Sequence, residues 1–178
     1  MSRGELLTSV TVWVAIAGYA LGTFVFAWSR KRDRWDAWAR LAWTLGCIGM
    51  LAHTACAFQF YHGWSHAAAY QDTARQTVEM FGLDWGGGLY INYALLGGWV
   101  VDVLWWWRGL AAYRRRPRRL VLCWNGFLLF IFFNAMVVFE SGVLRRLGLC
   151  LCLALCVVWW YTKNEIRIPK LETSTKRE

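Results

Sequence analysis

Proline is scarce in this sequence, at two residues in 178, and charged residues make up only 17%. Hydrophobic residues reach 58%, the reverse of the balance that keeps a chain unfolded, so intrinsic disorder is excluded. Histidine is nearly as scarce as proline, at three. No His-Glu-x-x-His pair occurs, so the zinc-protease arrangement lacks its general base. The run Gly86-Gly87-Gly88 is not followed by the lysine and hydroxyl residue of a phosphate-binding loop, and no nucleotide is expected. No serine stands in a nucleophile elbow, and no catalytic set of residues emerges. Internal repeats, which carriers built from matching halves usually show, are also missing.

What the sequence does contain is apolar length. A helix needs about 20 mostly apolar residues to cross a bilayer core about 30 Å thick. Five segments qualify: residues 6–28, 41–60, 88–107, 120–138 and 143–161. None alternates with the period of a barrel strand, so helices are expected. The first carries no charge and runs into Arg30-Lys31-Arg32 without a small-residue cleavage site, so it reads as a retained helix, not a signal peptide. The third contains Asp102, and the fifth starts with Arg145 and Arg146 before a short apolar core. The expected fold is all-α and integral to the membrane: a five-transmembrane-helix bundle forming a single polytopic domain over residues 1–178.

Basic residues set the expected orientation. Sixteen of the twenty Lys and Arg fall between spans one and two, between spans three and four, or after span five. Only Arg3, Arg75, Arg145 and Arg146 fall on the other side. The positive-inside rule then places the N-terminus outside and residues 162–178 in the cytoplasm, in the inner membrane of a cell. Eight of the fourteen Trp gather near the same inner boundary, at 28, 35, 38, 105–107, 159 and 160, with Trp64 and Trp85 on the outer side. An interfacial belt accounts for most of them. The cluster Arg114, Arg115, Arg116, Arg118 and Arg119 lies directly against two spans. Topology and attraction to anionic lipid explain it better than nucleic acid, which is not an expected partner.

One connection is substantial, the outer loop 61–87 between spans two and three. Ser65 is a candidate N-cap and Gly82 a candidate stop. Between them Ala67, Tyr70, Ala74, Val78 and Phe81 recur at helical spacing, which predicts an amphipathic helix roofing the spans or resting in the headgroups.

The candidate site residues lie in this outer half. His62 and His66 are in the loop, and His53 is in span two, roughly 10 Å below its outer end at 1.5 Å per residue. Gly46, Gly49 and Ala57 share a face with His53, a spacing of small residues that permits close helix approach, so a hydrogen bond to a neighbouring helix competes with a ligand role. Span three carries a stripe of Gly88, Asn92, Leu95, Trp99, Asp102 and Trp106. Asn134 lies in span four and Glu140 at its outer end. His53, His62, His66 and Glu140 are the candidate metal ligands, with Asn92, Asn134 and Asp102 as polar support. If helical, His62 and His66 would face one way, as zinc or copper ligands often do. Haem b ranks below a metal ion, because two axial ligands would have to meet at one depth. All six cysteines lie within spans, which argues against a disulfide framework and for buried apolar thiols.

The run His62-Gly63-Trp64-Ser65-His66, with Gly88-Leu89-Tyr90 and Asp102 downstream, resembles that of uncharacterised bacterial membrane proteins, and the resemblance implies no activity. The leading expectation is an outward-facing histidine site for a metal ion. Its rival is a non-catalytic accessory or assembly subunit of a larger membrane complex, with the polar groups as helix–helix glue. A third reading is a proton-coupled small-molecule carrier using Asp102.

Overall fold

Long uninterrupted apolar runs with almost no proline leave the backbone one way to satisfy itself without water, the helix. The computed structural model describes residues 2–29, 34–138 and 141–165, and every element among them is helical. Helix α1 spans Arg3–Ser29 and α2 spans Arg34–Ala57, which runs on through a π turn at Phe58–His62. Then come α3 (His66–Phe81), α4 (Gly88–Arg108), the short α5 (Leu110–Arg114) and α6 (Arg118–Phe133). Helix α6 continues into a second π turn at Asn134–Val138, followed by α7 (Gly142–Glu165). The five long helices match the five predicted segments, and α3 is the predicted amphipathic one.

Three of these stretches, Arg3–Trp28, Trp35–His62 and Arg118–Val138, are long and apolar enough to cross a membrane. Helices α4 and α7 are long as well, but α4 carries Asn92, Asp102 and a Trp run, and α7 carries Arg145 and Arg146.

Local sequence sets several ends. The Ser2 hydroxyl accepts from Glu5 N–H at 3.2 Å while Glu5 Oε2 accepts from Ser2 N–H at 2.8 Å, a reciprocal capping box that opens α1. Ser65 caps α3 by accepting from Ala68 N–H at 3.2 Å. Gly82 ends it with φ +70°, a left-handed conformation that glycine enters without a Cβ clash. On α3, Asp72 pairs with Arg75 and accepts from Gln76, a ladder along its exposed side.

The chain divides into two compact units, Met1–Tyr19 with Arg40–Arg115, and Ala20–Ala39 with Arg116–Glu178. In the first, the opening turns of α1 run antiparallel to the later turns of α2. A Cβ on Gly18 would collide with the Gly46 backbone and stand 2.7 Å from the Ala42 carbonyl oxygen. A Cβ on Gly49 would stand 2.9 Å from Ala15 N. The two backbones therefore touch, which only small side chains permit. The small-residue face predicted on span two is this contact. Helix α4 buries Leu95, Trp99, Asp102 and Trp106 of the predicted stripe together with Leu89, while Gly88 is half-buried and Asn92 exposed.

Helix α3 turns a face of Ala69, Tyr70, Thr73 and Ala74 inward, with Tyr70 against Gly86 and Thr73 against Gly88. Ala67, Val78 and Phe81, expected on the apolar face, are exposed. The small residues and Thr methyls fit the narrow contact with α4 better than the larger apolar side chains do.

In the second unit, α6, its π turn and α7 pack around Leu128, Phe132, Met136, Cys152 and Leu155. Gly148 admits the Met136 side chain and carbonyl, each 2.7 Å from where a Cβ would stand.

Candidate functional site

The three histidines occupy three different settings. His53 is half-buried, with Nδ1 3.0 Å from the Thr8 carbonyl oxygen on α1. A carbonyl can only accept, so in the neutral ring the proton sits on Nδ1 and Nε2 keeps its lone pair. His62 closes the π turn, its ring edge-on to Phe58 at 5.6 Å. His66 opens α3, exposed, with its ring 5.7 Å from Tyr90 and 5.9 Å from Tyr93.

The helical pairing expected of His62 and His66 does not form. Gly63 and Trp64 both take positive φ, +54° and +59°, and Ser65 is extended, so the histidines end one element and begin another. The turn is held by its own side chains: Trp64 Nε1 donates to Gln59 Oε1 at 2.8 Å, and the Trp64 ring lies 6.0 Å from Phe58. Among the described residues, no three His, Cys, Asp or Glu side chains come close enough together to hold a metal ion. Glu140, the fourth candidate ligand, lies outside the described residues.

The other polar candidates divide. Asn134 donates to the Phe130 carbonyl at 2.8 Å, within its own helical segment. Asn92 faces outward from α4. Asp102 is different: it is 5% exposed, and Tyr113 donates to its Oδ2 at 2.9 Å. Tyr113 reaches it because Gly109, at φ +153°, breaks α4 and lets the five-residue α5 fold back. The Tyr113 ring then stacks on Trp106 at 4.4 Å and 9°.

Trp106 also continues a ring cluster. Trp43 lies 6.3 Å from Trp106 and 5.5 Å from Trp99, and Tyr19 lies 5.7 Å from Trp43. These separations are ordinary aromatic packing, so the rings fill one another's space. Trp106 is 2% exposed and belongs to this core, not to the interfacial belt where the Trp pattern put it. Trp28, Trp38, Trp107 and Trp160 do lie exposed.

Tyr113 and α5 were missed in the sequence, where residues 108–119 read only as a basic connection. One signal could have found them. Tyr113 follows Trp106 by seven residues and Asp102 by eleven, so it extends the buried α4 stripe past the predicted helix end. The basic cluster straddles the gap between α5 and α6, with Arg114, Arg115, Arg118 and Arg119 exposed and Arg116 half-buried.

The cysteines are all free thiols, with Cys47 and Cys152 buried. No family model matches the chain, and no curated protein or solved structure matches it either.

Proposed function

We propose that this chain is a five-span inner-membrane protein, N-terminus outside, serving as a non-catalytic accessory or assembly subunit of a larger membrane complex. One observation carries the reading: two of the polar groups that marked a site, His53 and Asp102, are engaged between helices. His53 binds the Thr8 carbonyl across to α1, Tyr113 binds Asp102 across the Gly109 break, and Asn134 binds its own preceding turn. Polar side chains in apolar helices commonly act as such glue. Helix α3 supports a docking role, because its last turn and the following loop leave Val78, Met80, Phe81 and Leu83 exposed.

Two measurements test this. Single cysteines in a cysteine-free background report topology: an impermeant maleimide should label Ser65→Cys in intact cells and Arg115→Cys only after lysis. Labelling of both in intact cells rejects the orientation. Purification in mild detergent should then yield protein without stoichiometric zinc, copper or a Soret band.

The metal reading retains one specific support. A histidine whose Nδ1–H is fixed by a carbonyl presents Nε2 for ligation, the arrangement that usually orients metal-binding imidazoles. His53 would then supply a single ligand to zinc, copper or haem b, and the others would come from Glu140 or another chain. Stoichiometric metal lost on His53→Gln would favour it over the accessory role.

A further inference from the structure

We infer that Arg40 and Trp107 form a binding site for the phosphate of an anionic phospholipid at the inner membrane boundary. The inference rests on the membrane-spanning reading above and goes beyond its general attraction of basic residues to lipid.

The arrangement is built, not merely charged. The Arg40 guanidinium lies over the Trp107 ring, with Cζ 4.2 Å from the ring centroid. Trp107 Nε1 donates to Thr44 Oγ1 at 3.0 Å, and Thr44 Oγ1 donates to the Arg40 carbonyl oxygen at 2.7 Å. This relay links the indole on α4 to the turn of α2 that carries Arg40, so the ring is locked as a shelf beneath the cation. Stacking on an aromatic face leaves the planar edge of a guanidinium to bind oxygens, the geometry that suits phosphate.

Among the described residues, Arg40 makes no ion pair, and its Nε is shut from solvent with no acceptor. A closed-in donor without a partner is costly, and a phosphate oxygen drawn in by a small side-chain shift would remove that cost. Arg108, beside Trp107 in sequence, and Arg115 are exposed and add positive charge in the same compact unit.

The neighbouring surface argues for a lipid as the source of the phosphate. Beyond Arg40 on α2, Leu41, Leu45 and Ile48 are exposed, and before Trp107 on α4 so are Val101 and Leu104. A headgroup at the guanidinium would thus have apolar side chains alongside for its acyl chains. Basic pockets at helix ends on the cytoplasmic side bind anionic headgroups in this way.

The test is native mass spectrometry of the full-length protein in mild detergent, titrated separately with phosphatidylglycerol and phosphatidylcholine. Wild type should retain the anionic lipid selectively. Arg40→Gln should weaken that retention about fivefold, the contribution of one arginine near a headgroup. Trp107→Leu, which keeps the charge and removes the shelf, should weaken it by less, and Arg75→Gln on α3 should leave it unchanged. Circular dichroism of each variant guards against misfolding. Retention by Arg40→Gln equal to wild type overturns the site, as does displacement of the lipid by excess inorganic phosphate, which would mark a free-anion site. A chain that fails the maleimide topology test ends the spanning reading, whereas one that spans but binds lipid independently of Arg40 ends only this inference.

Discussion

The α1–α2 seam and the α4–α5 core hold helices together by opposite means. At the seam, Gly18, Gly46 and Gly49 bring backbones into contact, and the side-chain bond from His53 to Thr8 crosses over. In the core, large rings pack against one another, with Asp102 and Tyr113 as the polar anchor. The seam depends on what is missing from its side chains and the core on what is present. They should therefore fail differently: the seam to added volume, the core to removed volume.

The largest effect should come from the core. Trp99→Ala empties a side chain that is fully buried, and should cost about 3–5 kcal/mol as the rings around it lose their contacts. Unfolding by denaturing detergent, followed by circular dichroism, measures it. A loss under 1 kcal/mol would mean the rings collapse into the gap as a soft cluster.

Next comes the anchor. Tyr113→Phe keeps the stack on Trp106 but removes the hydroxyl that donates to Asp102, with an expected loss of about 1–3 kcal/mol as a buried acceptor loses that donor. The same unfolding curve reads it, and combining it with Asp102→Asn should add little if the two act as a pair.

The seam should respond to one methyl. Gly18→Ala forces the Gly46 backbone away and should cost about 1–3 kcal/mol, a penalty of overpacking. Gly97→Ala is the control, since nothing lies within 4 Å of its Cβ position, and it should be neutral or slightly stabilising. Equal effects at both positions would show that the seam tolerates separation. Smallest is the crossing bond, where His53→Leu should lose about 0.6 kcal/mol, typical of a hydrogen bond between helices in a membrane protein.

The same contrast explains what could be read in advance. The seam was legible because small residues at helical spacing announce a close approach, and the ends of α3 because the caps at Ser65 and Gly82 are local chemistry. The stripe on α4 was legible from its helical spacing, apart from Asn92, which is exposed. Tyr113 was hidden because the buried pattern crosses a glycine break inside a run of arginines. The helical pairing of His62 and His66 failed on two residues, since Gly63 and Trp64 turn the chain between them. Depth in a bilayer can be estimated from sequence, but azimuth around a helix bundle cannot, and a ligand set needs both.

The flat stack of Tyr113 on Trp106 also has an optical consequence. Two rings held 4.4 Å apart with their planes 9° from parallel give each other a fixed asymmetric environment, so the pair should contribute a near-ultraviolet circular dichroism signal that is lost if α5 swings out about Gly109. The protein thus carries its own unlabelled reporter of whether the C-terminal end of α4 is closed, readable in detergent, in vesicles or against an added partner.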